Sequence, residues 1–519
     1  MLEKLITAAA GITLAFAATG SAARAQEPIA QAVVAIETAR PGAPINRNIY
    51  GHFAEHLGRG IYEGIWVGPD SRIPNIRGYR RDVVDALRQL EVPVIRWPGG
   101  CFSEVYDWRD GIGPRAQRPV RTRMHWDDTV DSNDFGTHEY LDFMELIGAQ
   151  TYVSGNVGSM SPRDMQLWLE YMTADNDSTL AKERRKNGRA KPWKIDFFGI
   201  GNETWGCGGN MRPEYAADVN ARYSAFIDPP ASMGLVKVAS GASVQGGGDY
   251  EAFTEAMMKH MGQTDALSFH YYAMPMGRPK SEALGFGEDE WADVLDLARQ
   301  MEPMLARVSA IMDKHDPDKK VPLFVDEWGT WYKLDKNAKP GEHHFQQASL
   351  RDAMVAALTF NIFHRHTDRV KMANIAQMVN VLQAVILTEG DKMVLTPTYH
   401  LFDLYKPFMD AVPYPVSIAS PEYIHGKIAM PMVDATAARG KDGRLYLALV
   451  NVDPDRAISV STLMGTSASG RILTGPAMDT NNSFAAPDTI KPVPFAGTSI
   501  NGRLVFDLPA KSVAVVAID

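Results

Sequence analysis

The chain is poor in cysteine: among 519 residues only Cys101 and Cys207 occur. That excludes a disulfide-dense scaffold and a cysteine zinc ribbon. A basic excess is also missing. Net charge is −9, from 53 lysines and arginines against 62 acidic residues, so no nucleic-acid partner is expected and the acidic surface mainly favours solubility. No His-Glu-x-x-His pair is present. His343-His344 and His364-Arg365-His366 match neither that motif nor a two-histidine-plus-carboxylate set, so no metal and no cofactor is expected. Beyond the N-terminus no apolar run is long enough to span a bilayer. There is no internal repeat and no long low-complexity linker.

The N-terminus carries Lys4, an apolar stretch from Leu5 to Thr19, and Ala23-Arg24-Ala25. A charged start, an apolar region and an A-x-A site predict a secretory signal peptide over residues 1–25. The alternative is an uncleaved membrane anchor, for which the stretch is short. The expectation is an exported protein, periplasmic or extracellular, without membrane attachment after cleavage. In such a protein the two cysteines could pair. Both fall just after proposed strand ends, and a disulfide and two free thiols both remain open.

From about residue 46 the chain alternates short apolar runs with amphipathic stretches. Strands are expected at 49–53, 92–97, 150–154, 195–200, 236–239, 266–272, 321–325 and 370–375. Helices are expected between them at 79–90, 138–147, from Pro162, and at 213–226, 250–261, 291–315 and 346–363. Ser161 before Pro162, with Asp164 third in the helix, forms an N-terminal cap signature. Lys182 to Lys191 reads as a solvated basic loop. Eight strands separated by helices imply a parallel sheet, and eight such units fit a (β/α)8 TIM barrel over residues 46–408. A doubly wound sheet would carry Gly-x-Gly-x-x-Gly after its first strand, where this chain has Gly51-His52-Phe53-Ala54-Glu55-His56. After about residue 410, short alternating runs separated by Gly, Pro, Asn and Asp predict an all-β sandwich, jelly-roll-like, over 409–519. The strand-like run at 32–38 could join it, which makes residues 26–45 part of that unit.

Two apolar strands end in glutamates. Phe197-Phe198-Gly199-Ile200 leads through Gly201 and Asn202 to Glu203, and Val321 to Val325 leads through Asp326 to Glu327. In a barrel, strand ends converge on one face, where the chemistry sits. Glu55, Arg96, Asn156, Asn202, His270, Tyr272 and Gln377 would meet the two glutamates there. Each alone reads as a satisfied structural polar group, but together they suit the hydroxyls of a sugar. Retaining glycosidases place two carboxyls about 5 Å apart, one as nucleophile and one as acid/base. The acid needs a raised pKa and the nucleophile must stay ionised, which a neighbouring arginine favours. Arg96 is the candidate for that partner. Trp205 and Trp328 beside the pair could stack on sugar faces or serve as packing.

Nine stretches, in order, resemble glycoside hydrolase family 51, the retaining α-L-arabinofuranosidases. They are Y-G-H-F-A-E-H-L-G-R (50–59), R-W-P-G-G (96–100), Y-D-W-R-D-G-I-G-P (106–114), F-G-T-H-E-Y (135–140), G-N-V-G (155–158), G-N-E (201–203), H-Y-Y (270–272), D-E-W (326–328) and A-N-I-A-Q-M-V-N-V (373–381). The resemblance implies Glu203 as acid/base and Glu327 as nucleophile. It implies Glu55, Arg96, Asn202, His270, Tyr272 and Gln377 as substrate-binding or nucleophile-orienting residues, and Trp126 as an aromatic lining the arabinose pocket. The family commonly has asparagine after R-W-P-G-G. Here Cys101 holds that substrate-facing position, and a thiol is a weak donor and acceptor. The implied activity is exo-acting release of terminal α-L-arabinofuranosyl groups from arabinose-containing hemicellulose or pectin oligosaccharides. A β-xylosidase or β-glucanase of the same fold is the alternative, and a non-catalytic carbohydrate-binding protein a more remote one. A homo-oligomer is compatible with the sequence.

Overall fold

The computed structural model describes residues 29–125, 129–244, 249–275, 280–334 and 342–519. The expected signal peptide, and Trp126, lie outside the described residues. Eight strands close a parallel barrel: Gly51–Phe53, Val94–Trp97, Gln150–Ser154, Phe197–Ile200, Val236–Ala239, Ala266–Tyr272, Leu323–Gly329 and Val370–Ile375. Each pairs with its neighbour in sequence, and the last returns to the first through Ile375 and His52. Side chains alternate between the interior and the helices. Val94, Tyr152, Phe197, Val238, Ala266, Phe324 and Met372, one from each strand but the first, fill the lower interior as a single apolar cluster. The barrel is therefore a packed plug with a polar mouth.

The helices follow from their patterning. Arg81–Leu90 buries Val83, Val84, Ala86, Leu87 and Leu90 along one face. Pro162–Thr173 starts at Ser161, whose hydroxyl accepts from the Asp164 amide, while Asp164 closes the reciprocal half of a capping box. Two expectations are corrected. The long helix at 291–315 is two helices, Glu288–Arg299 and Met301–His315. Pro303 has no amide to give residue 299, and its ring would strike that carbonyl in a continuous helix, so the chain restarts at Gln300. The basic stretch at 182–191 is helical over Thr179–Lys186, capped by Ser178. Its residues are good helix formers, and Arg184 is buried, donating to the carbonyls of Tyr171 and Ala174.

The C-terminal unit is a ten-stranded, mostly antiparallel sheet arranged in two facing layers. Val493–Ile500 links them, pairing first with Ala468–Thr474 and then with Arg503–Leu508. The N-terminal strand Ala30–Ile36 joins this sheet, parallel to Ile458–Thr462 and antiparallel to Val416–Ala419. Leu350–Arg365, buried at all but its last residue, lies between barrel and sheet. The Trp291 indole donates to the Val452 carbonyl at 3.0 Å across the same boundary. Among the described residues no helix is long and apolar enough to cross a membrane.

Candidate active site

The fourth barrel strand, Phe197–Ile200, leaves the sheet through a turn that few sequences tolerate. Gly201 has φ +82° and Glu203, a residue with a side chain, has φ +43°. A Cβ at Gly201 would sit 2.5 Å from Val157 Cγ2, so the position excludes any side chain. The turn aims the Glu203 carboxylate over the barrel mouth, where it stays partly exposed.

The seventh strand supplies two acids to the same space. Its register against the sixth strand is Ser268 opposite Phe324, then His270 opposite Glu327. One extra residue in the seventh strand makes a bulge, which brings Asp326 and Glu327 to the interior together instead of on opposite faces. Trp328 then points outward and packs against Phe360 and Phe363, with ring centroids 5.5 and 5.7 Å away. It is packing, and no sugar reaches it.

His270 joins the two glutamates. Its Nδ1 lies 2.9 Å from Glu203 Oε1 and 3.5 Å from Glu327 Oε2, and its Nε2 lies 3.3 Å from Asp326 Oδ1. Both ring nitrogens face carboxylates, so both carry a proton. Oxygens of Glu203 and Glu327 and the His270 nitrogen all lie within 4.8 Å of one another. Arg96 donates to Glu327 Oε2 at 3.0 Å and to Asn202 Oδ1, and its Nε donates to Ser154 Oγ at 3.2 Å. Tyr272 donates to Glu327 Oε1 at 2.6 Å, and Tyr152 to Asp326 Oδ2 at 2.7 Å. Each Glu327 oxygen is thus held by a donor.

Burial and charge act against each other here. Burial pushes the Glu203 carboxyl upward, and the charge of Glu327 adds to the rise against the pull of His270. Burial alone would discharge His270, but Glu327, Asp326 and Glu203 outweigh it and hold its pKa at about 10. Burial also opposes ionisation of Asp326, yet Arg96 and His270 bring it to about 2. The cluster of Glu203, His270 and Glu327 has a spacing a metal ion could use. However, an imidazolium offers no lone pair, and the guanidinium of Arg96 already stands in the cluster, so the donor set does not suit a cation.

Glu55 lies deeper, fully buried, accepting from the Phe102 amide at 3.1 Å and from Gln377 Nε2 at 2.9 Å. Burial, followed by the charge of Glu327, raises it to about 8. Cys101 and Cys207 form a disulfide across the rim. Cys101 therefore has no thiol proton to offer a sugar. Asn156 is turned away, its amide given to the Tyr106 carbonyl and to Ser159. Trp205 is half-buried beside Glu203. Sequence reasoning missed Asp326, Tyr152 and Trp331, whose ring meets Tyr272 edge-on at 5.1 Å. Asp326 stood inside a quoted motif, but only the bulge turns it inward.

Two family models match the chain: "Alpha-L-arabinofuranosidase 1 domain" over residues 86–282 and "Alpha-L-arabinofuranosidase C-terminal domain" over 326–512. An intracellular exo-α-L-arabinofuranosidase from Bacteroides ovatus is 45% identical over 514 residues, covering 97% of this chain and 98% of that protein. The chain belongs to the α-L-arabinofuranosidases of glycoside hydrolase family 51. The family 51 arabinofuranosidase from Xanthomonas axonopodis pv. citri superposes with a TM-score of 0.92 at 49% identity, covering 94% of this chain and all of that one. The arabinofuranosidase of Thermotoga maritima, solved with arabinose, superposes with 0.80 at 28% identity over 94% of this chain and 99% of that one. The Bacteroides name also corrects one expectation. The N-terminal stretch suggested export, whereas this near full-length relative is called intracellular.

Proposed function

We propose that the chain is an exo-acting α-L-arabinofuranosidase that works by double displacement, with Glu203 as acid/base and Glu327 as nucleophile. Its substrates are arabinose-containing hemicellulose or pectin oligosaccharides. Glu327, held by Arg96 and Tyr272, attacks the anomeric carbon. Glu203 gives its proton to the departing glycosidic oxygen, and the leaving group carries that proton away. Glu203, now ionised, takes a proton from water, whose oxygen displaces Glu327 from the anomeric carbon. The proton and electron pairs balance over the two steps. Asn202, Glu55, Gln377 and Tyr272 face the space where the sugar would lie, and Trp126 is the proposed aromatic wall.

The observation that carries this reading is the shared contact of His270 Nδ1 with Glu203 and Glu327, whose oxygens come within 4.8 Å. Retaining pairs stand about 5–5.5 Å apart, whereas inverting pairs are separated by about 6.5–9.5 Å to admit a water. The family relationship agrees with the reaction class.

A panel of nitrophenyl glycosides tests the reading: α-L-arabinofuranoside beside β-D-xyloside, β-D-galactofuranoside and β-D-glucoside. Preference for the arabinofuranoside by a factor of about 100, near what a well-fitted site achieves, is expected. Preference for the xyloside or glucoside would overturn the substrate assignment in favour of the related β-glycosidases. Glu203→Ala should lower kcat/KM for poor leaving groups far more than for activated ones, because only the former need a proton in the first displacement. Equal slowing would contradict the acid role.

A further inference from the structure

Glu104 is not among the groups proposed to face the sugar, yet three backbone amides from two mouth loops converge on it. It lies on the short 3₁₀ helix Cys101–Val105, which follows the second barrel strand. Its side chain is buried at 1% exposure. Oε2 accepts from the amides of Val157 and Gly158 at 2.8 and 2.6 Å, in the loop after the third strand. Oε1 accepts from the amide of Asn202, in the loop after the fourth. Ser159 Oγ donates to the Glu104 carbonyl at 2.7 Å, tying the same helix to the same loop again. Each group hydrogen-bonded to the two carboxylate oxygens is a donor, which suits an ionised carboxylate. The loops are shaped for this approach. A Cβ at Gly158 would lie 3.1 Å from Oε2, and one at Gly201 would lie 3.0 Å from Oε1.

We infer that Glu104 is a positioning residue for the acid/base step, fixing the backbone turn that presents Glu203. Two independent features support this. First, Gly201 and Glu203 both occupy left-handed backbone, and a non-glycine residue there persists only where its surroundings over-determine it. Glu104 grips the one amide between them. Second, the Asn202 side chain is fixed separately, accepting from buried Arg96, so the Glu104 grip on its amide completes the anchoring of the turn before Glu203. The disulfide Cys101–Cys207 joins the first residue of the Glu104 helix to the same loop four residues beyond Glu203. Burial raises the Glu104 carboxyl to about 7 against the three amides. A charged group kept there at a desolvation cost, with no sugar contact, is explained by what it holds in place.

The inference rests on Glu203 being the acid/base, and its test separates the two. Glu104→Gln keeps the volume but turns a carboxamide NH2, itself a donor, toward backbone N–H donors. Activity is measured on a dinitrophenyl α-L-arabinofuranoside, which needs no protonation, and on an unactivated arabinoxylo-oligosaccharide, in wild-type and Glu203→Ala backgrounds. On the unactivated substrate Glu104→Gln should lower kcat/KM on the order of 10- to 100-fold, as for a side chain displaced by about 1 Å. On the activated one kcat/KM, which reports the first displacement alone, should stay within about threefold, because its leaving group gains little from general acid catalysis. In the Glu203→Ala background the same change should add almost nothing. Equal loss on both substrates, or an undiminished loss in the Glu203→Ala background, would overturn the role of Glu104. If Glu203→Ala itself shows no leaving-group dependence, the acid/base assignment fails, and that outcome is visible without Glu104. Should Glu104→Gln not fold, Glu104→Asp, one methylene shorter, carries the same comparison.

Discussion

The floor and the mouth of the barrel are built from the same eight strands but by opposite rules. In the floor, alternation is regular and the inward residues are mostly apolar, from Val94 round to Met372. At the mouth, alternation is broken by the Asp326 bulge and by left-handed Glu203, and the inward residues are charged: Arg96, His270, Asp326, Glu327 and Glu55. Burying those charges is unfavourable unless each is paired. The floor stabilises the closed sheet, and that rigidity holds the charges in their pairs. Stability and reactivity thus sit a few residues apart on the strands that carry Val94 and Arg96, Ala266 and His270, and Phe324 and Glu327.

Substitutions can separate the two layers, and Glu327→Ala should do so most sharply. Activity on aryl arabinofuranosides should drop about 10⁴-fold or more, in the range seen when a unit of catalytic groups loses a member. Thermal unfolding should stay close to wild type, because the variant also removes a buried charge and leaves Arg96 paired with Asp326. A large fall in Tm with little loss of turnover would reverse the assignment of layers. Phe324→Ala, in the floor of the same strand, should do the opposite. A cost of about 3–5 kcal/mol in stability is expected, with KM unchanged below the unfolding transition. Denaturant unfolding followed by turnover checks both.

Asp326→Asn probes the junction. Removing the charge facing His270 Nε2 should lower the His270 pKa from about 10, and activity should fall about 10- to 100-fold, as for other groups that orient a catalytic one. The pH profile is the readout, since the variant should gain a new ionisation at lower pH. The smallest effect is expected from Glu55→Gln on stability. Glu55 is raised from 4.5 to about 8 in the folded chain. Below pH 4.5 the group is protonated in both states, and as pH rises towards 8 the unfolded chain ionises more readily, so the folded state loses stability. Glu55→Gln lacks that loss and should gain on wild type by about 1–3 kcal/mol above pH 8, allowing for relaxation of a raised carboxyl. No change in relative Tm across that range would show that Glu55 does not carry the shift.

Much of this division was legible in the chain. Seven of the eight apolar runs end where the barrel strands end, because fully buried parallel strands read as short apolar blocks; the seventh strand runs on past Val325 to Gly329, through the polar pair Asp326 and Glu327. Glu203 and Glu327 each follow directly on an apolar run, and Arg96, the one arginine among the candidates, donates to Glu327. What escaped depended on contacts distant in sequence or on register. Asp326 faces inward only through a bulge, and Trp328 faces outward for the same reason. Glu104 gains its meaning from two loops about 50 and 100 residues away in sequence, a separation no periodicity reports. Pro303 was a visible signal that the long helix would break, and Ser178 was a visible cap for the basic stretch.

The most direct test of the central claim is the mass of the protein during turnover. With Glu203→Ala and a dinitrophenyl α-L-arabinofuranoside, the first displacement should outrun the second, so that a rapidly quenched sample carries one arabinosyl group. Peptide mapping should place it on Glu327. A quenched sample without that adduct, releasing product of inverted anomeric configuration, would contradict a nucleophilic Glu327 and with it the pairing of the two glutamates across the mouth.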